Sequence, residues 1–179
     1  MENEVPITVG PIDGVEFRKL NIWVKRVLKP HAAANTMGAL RQELDTAEIA
    51  FQAALKGVPD NEFIESVCEG YMSPAGILGH LSIAIAWQTS KLLEIRTGQV
   101  APDDVVTQLF ESQPGDMRKH SVERLKDSFA VLRDEAAKAE EGDTTSHHIW
   151  FGPLNAKEWI ASAVSHFDVH RSQIESRKS

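Results

Sequence analysis

Two histidines, His166 and His170, stand four residues apart in the C-terminal stretch VSHFDVHRSQI. On a helix that spacing puts the side chains one above the other, with Cβ atoms about 5–6 Å apart. Two imidazoles so placed can share one ion at roughly 2.0–2.1 Å from each nitrogen. They can equally be two partly buried rings, each with its own hydrogen-bond partner. A third histidine, His80, falls on an apolar helical stripe with Ile77, Leu81, Ala84, Trp87 and Lys91. Metal sites in helix bundles are built from inward side chains on facing helices. Three neutral imidazoles from two helices make a site with three protein ligands and open positions, the arrangement of catalytic rather than structural zinc. Nickel and iron(II) suit the same donors, so the expected cofactor is a divalent ion, zinc, nickel or iron.

Other residues near this pattern have two readings each. Gln173 lies one turn beyond His170 on the same stripe and is a candidate for orienting it from behind. Trp87 shares the His80 face and is a candidate for lining the site. His148 and Trp150, in the segment TTSHHIWFGPLN before the last helix, either line the entrance of the site or seal the end of the bundle with an aromatic cluster. Asp168, two residues from each histidine, belongs to the opposite side of the helix and has no catalytic role. His31 and His120 read as surface residues, and no single side chain stands out as a catalytic group.

Several other chemistries are excluded. No histidine follows a glutamate by three residues, so a di-iron carboxylate bundle lacks its motif. His-Glu-x-x-His, a phosphate-binding glycine loop and Gly-x-Ser-x-Gly are all absent.

Four amphipathic segments position these residues. The first runs from about Thr36 to Lys56, with Met37, Leu40, Leu44, Ala47, Phe51 and Ala54 at three- and four-residue steps, and stops at Gly57 and Pro59. The second opens at Ser73-Pro74 and ends at Gly98; serine suits the cap, and proline the first turn, where its missing donor is not needed. The third runs from about Asp116 to Glu141, on Val122, Leu125, Phe129, Leu132, Ala136 and Ala139. The fourth starts at Asn155, with Glu158 completing a capping box and Leu154 and Trp159 at the staple positions. No segment shows sustained strand alternation with hairpin turns. The expected fold is therefore all-α, a four-helix bundle over residues 34–179. A long connection between the second and third helices, about Gly98 to Gly115, allows a crossover along the bundle. Residues 1–33 read as an N-terminal extension containing a short helix, closed by Pro30, that packs on the bundle.

The chain of 179 residues is long enough to bury one core. Its net charge of -7 argues against a general nucleic-acid binder. No apolar run reaches the ~20 residues that span a bilayer. The acidic start MENEVPITVG lacks the layout of a signal peptide. The one cysteine, Cys68, allows no internal disulfide, and reads as a small hydrophobe. The expected compartment is the cytoplasm, with neither a nucleic acid nor a membrane as partner.

The segments SPAGILGHLSIAIAWQ, HIWFGPLNAKEW and HFDVHRSQI, in this order and spacing, resemble the DinB-like superfamily of four-helix-bundle metalloproteins over roughly Thr36 to Ile174. The resemblance implies that His80, His166 and His170 are the metal ligands. It implies an up-down-down-up helix order, with the crossover between helices two and three, and a homodimer. Some members resemble S-transferases that use bacillithiol or mycothiol. The implied activity is a metal-dependent thiol transferase acting on a low-molecular-weight thiol and a small electrophilic substrate. The alternatives are a metal-dependent hydrolase and a non-catalytic metal-binding or stress-response protein.

Overall fold

The computed structural model describes residues 14–65, 72–100 and 118–178. Its helices are α1 (Gly14–Trp23), α2 (Lys29–Ala34), α3 (Met37–Lys56), α4 (Pro74–Thr97), α5 (Arg118–Lys138) and α6 (Ala156–Glu175). Two short strands, β1 (Thr145–His148) and β2 (Gly152–Asn155), precede α6.

The helix boundaries follow from capping chemistry. Thr36 accepts the backbone N–H of Ala39 at 3.1 Å to open α3, and Ser73 accepts that of Gly76 at 3.1 Å to open α4. At α6 the box is reciprocal: Asn155 Oδ1 accepts from the Glu158 amide, and Glu158 Oε2 accepts from the Asn155 amide, both at 3.0 Å. Caps of this kind stabilise a helix by about 1 kcal/mol. Gly98 closes α4 with a φ of 71°, a left-handed conformation that a side chain would strain.

Each long helix buries a stripe. Leu40, Leu44 and Phe51 of α3, Leu125, Phe129 and Leu132 of α5, and Trp159, Ile160, Ala163 and Phe167 of α6 are all within 2% of complete burial. Helix α4 differs, because it is buried on most of its circumference, Ile77, Leu78, Leu81, Ile85 and Leu92 included. The most extensive packing joins α4 to α5 and α3 to α6, and α4 also packs on α6. The ends are stitched by polar contacts. Arg41, near the start of α3, donates to the carbonyls of Ala136, in the last turn of α5, and of Ala139 just beyond it. Arg118, at the start of α5, donates to Leu55 and Val58 at the end of α3. Arg96, at the end of α4, bonds Glu135 near the end of α5 at 2.5 Å. Arg177, just beyond α6, donates to Met72 just before α4 and to Glu65.

Three expectations are corrected. The fold is mostly helical rather than all-α, because residues 145–155 form an antiparallel hairpin, paired from Thr145↔Asn155 to His148↔Gly152. Its loop of Ile149, Trp150 and Phe151 is three residues long, and Gly152 at φ 75° supplies the left-handed residue that such a loop requires. Pro30 does not close the N-terminal helix, which runs on to Ala34. The five residues before α2, Val24–Leu28, are π-helical, with the Lys29 N–H bonded to the Val24 carbonyl. Widening the turn there makes room for a ring that would clash with the carbonyl four residues back. The third helix ends at Lys138 rather than Glu141, and its expected start at Asp116 lies outside the described residues, as do Cys68 and most of the connection from Gly98 to Gly115.

Val24, Leu28 and Ala32 are buried, and α2 packs on α6. Trp23 lies 5.6 Å from Phe151, centroid to centroid, and Lys29 reaches Glu158 and the Pro153 carbonyl. The N-terminal helix therefore covers the hairpin. No helix among the described residues is long and apolar enough to cross a membrane.

Candidate metal centre

The periodicity that buries Trp159, Ala163 and Phe167 also sets where His166 and His170 project. Residues 159, 163, 166 and 170 advance along α6 in steps of three and four, so they share one face. That face meets α4 at His80. The three rings converge, with centroids 5.1 Å (His80–His166), 5.1 Å (His80–His170) and 4.8 Å (His166–His170) apart. One nitrogen from each lies within 4.8 Å of the others. The closest pair is Nε2 of His80 and Nε2 of His166, at 3.0 Å.

The donor set fits a divalent ion on two counts. His170 is fully buried and its Nε2 has no hydrogen-bond partner. Its other nitrogen, Nδ1, donates to Gln173 Oε1 at 2.7 Å, which fixes the proton there and leaves the Nε2 lone pair free. Gln173 is thus where the stripe puts it, behind His170 and off the triad. The His166 and His170 rings are also kept neutral, as ligation demands. Burial above all, and then His170 and His80 beside it, hold the His166 ring well below the usual imidazole range. Burial, then His80, pushes His170 down to about 3, against an opposing contribution from the Gln173 bond. Nitrogens 2.0–2.1 Å from a tetrahedral ion stand about 3.4 Å apart. Nitrogens 4.8 Å apart must therefore draw in by about 1.4 Å on binding. His80 and His166 are half-buried, whereas His170 is buried.

His148 is buried in an aromatic box. It stacks on Phe151 at 4.0 Å and 10°, and Trp87 and Trp159 stand 4.8 and 5.0 Å away. Its Nδ1 accepts the backbone N–H groups of Trp150 and Phe151 at 3.2 and 3.3 Å. Burial, and then His147, pushes its pKa down to about 3, so the ring is neutral and carries its proton on Nε2. Its charge, if present, would act on His166. Trp150 is half-buried, with its ring 5.9 Å from His148. Trp87 is buried between His148 and Trp159, two turns beyond His80 on α4.

Other histidines stay apart. His31 is exposed and bonds Glu43 at 2.8 Å, and His120 is exposed on α5. Asp168 is exposed and pairs with Arg171 at 3.3 Å. Two buried serines were not singled out from the sequence: Ser162, 4% exposed, and Ser146, 2% exposed, neither with a partner for its hydroxyl. A signal for Ser162 was present, since it stands four residues before His166 and so under it on the same face.

The sequence matches no family model and no curated protein. Among solved structures, the fold is similar to that of TT2238, a four-helix bundle protein, with a TM-score of 0.60 and 20% identity, over 79% of this chain and 99% of that one. The likeness extends to the fold: this chain is built as a four-helix bundle.

Proposed function

We propose that this protein is a divalent-metal-dependent enzyme of the DinB-like type, in which His80, His166 and His170 hold zinc, nickel or iron(II) and a low-molecular-weight thiol is activated for transfer to an electrophile. The observation that carries this reading is the unpartnered, proton-free Nε2 of His170, in a cluster of three imidazoles whose ring nitrogens lie within 4.8 Å of one another. A divalent ion bound there supplies Lewis acidity that lowers the pKa of a coordinated thiol or water. The chain supplies the rest. Gln173 holds the His170 tautomer, burial keeps the His166 and His170 rings neutral, and the half-buried His80 and His166 mark the side from which a ligand would enter. The absence of a carboxylate from the triad leaves the role of base to the ligand's own anion or to water.

The finer fold reading belongs here too. The contacts of Arg41, Arg118, Arg96 and Arg177 support an up-down-down-up helix order. Its expected setting is a cytoplasmic homodimer. Should transfer fail, the complete burial of His170 favours the ion as a tie between α4 and α6. Metal-loaded protein is to be assayed with bacillithiol or mycothiol and a model electrophile, beside metal analysis of the purified protein. The expected result is one ion per chain and turnover that His166→Ala abolishes. Turnover unchanged in that variant would sink the catalytic reading, and no ion above the level of the triple alanine variant would sink both.

A further inference from the structure

Among the described residues, the buried side-chain polar atoms without a partner are Trp87 Nε1, Ser146 Oγ, Ser162 Oγ, His170 Nε2 and Arg177 Nε. The first four belong to α4, α6 or the hairpin that precedes α6. Buried polar groups are normally paired, and an unmet one destabilises the fold. The metal reading accounts for His170 alone. An indole N–H can only donate, so Trp87, 3% exposed, calls for an acceptor. Its ring stands edge-on to His148 at 4.8 Å. His148 has its Nδ1 filled by two backbone amides and so also offers a donor. Ser162, one turn before His166, adds a hydroxyl. The triad contains no carboxylate, so a divalent ion on three neutral rings keeps its full charge and favours an anion nearby.

We propose that Trp87, His148 and Ser162 form a donor-lined subsite beside the His triad, which takes the carboxylate of a small organic anion. The inference rests on the metal reading for the anion's charge, but the donors exist without it. The two carboxylate oxygens accept from Trp87 Nε1–H and from the His148 or Ser162 donor. This assigns to the substrate a carboxylate a few atoms from its metal-bound group, and makes Trp87 and Ser162 determinants of specificity.

The test is an acetate titration of ¹⁵N-labelled protein, zinc-loaded and metal-free, against chloride at matched ionic strength. The chain has four tryptophans, so the indole N–H peaks are few, and Trp87→Phe assigns the one that matters; if that variant fails to fold, Trp23→Phe, Trp150→Phe and Trp159→Phe assign it by elimination. The expected result is a saturable downfield shift of the Trp87 peak in zinc-loaded protein. Ser162→Ala should weaken acetate binding about tenfold, the loss expected for one hydrogen bond to a charged group. A Trp87 peak that stays still in both forms leaves that indole facing water only and overturns the proposal. A shift in metal-free protein supports the subsite even where zinc stoichiometry has already overturned the triad as a metal site.

Discussion

Helix α6 turns two neighbouring residues into two different interiors. Phe167 packs edge-on against Phe51 of α3 at 5.7 Å and Phe129 of α5 at 4.9 Å. His166, one residue earlier and about 100° around the helix, faces His80 of α4 instead. The phenylalanine side is self-sufficient: its atoms have the contacts that a close-packed core requires. The histidine side is not, because His170 Nε2, Trp87 Nε1 and Ser162 Oγ are buried without partners. Local rules of satisfaction hold on one face of the helix and fail on the other, and such failures concentrate where a ligand completes the structure.

The comparison breaks most decisively if the two faces prove interchangeable. Phe129→Ala removes a fully buried ring packed on Phe167. It should destabilise by about 3–5 kcal/mol, with or without metal, in denaturant unfolding. A loss under 1 kcal/mol would mean that the apolar face is not the source of stability. Metal should act on the other face alone. At 100 times its dissociation constant, zinc should stabilise the wild type by about 2.7 kcal/mol and shift its melting temperature upward. The shift should vanish in His170→Ala and persist in full in Phe129→Ala. An equal shift in His170→Ala would place the ion elsewhere.

The two faces also differ in how much of them periodicity discloses. Stripes at three- and four-residue steps put Phe51 and Phe129 inside, and the same counting put His80, His166 and His170 on inward faces. The starts of α4 and α6 were legible because Ser73-Pro74 and Asn155-x-x-Glu158 are local chemistry, complete within four residues. The hairpin was not. Each strand has four residues, too few for alternation to register, and its inward positions are Ser146 and His148 rather than hydrophobes. The run of helix through Pro30 was hidden because a π-turn, not a sequence signal, accommodates the ring. What periodicity cannot convey is whether a buried polar atom finds a partner. That depends on the other helix, so the unpaired state of Trp87 and Ser162 emerges only in three dimensions.

The smallest effect, taken per pH unit, concerns the aromatic box around His148, which sits between the two kinds of interior: packed like the phenylalanines, polar like the triad. Its ring is held neutral in the fold, with its pKa at about 3 against about 6.5 when unfolded. Below pH 6.5 the unfolded chain therefore takes up a proton that the folded chain refuses. Its contribution is fully present above pH 6.5 and erodes as the pH falls from there towards 3, by up to about 1.4 kcal/mol per pH unit for this one site. His166 and, with its pKa at about 3, His170 act in the same direction in metal-free protein, so the wild-type slope should exceed that of a single group. His148→Asn isolates one share, since its Oδ1 can still accept the two backbone amides of the loop. Unfolding free energies of metal-free protein, measured in denaturant from pH 7 to 4, should fall less steeply in His148→Asn, by up to one proton. Parallel slopes in the two proteins would show that His148 is protonated inside the fold, and that its box is wetter than its packing implies.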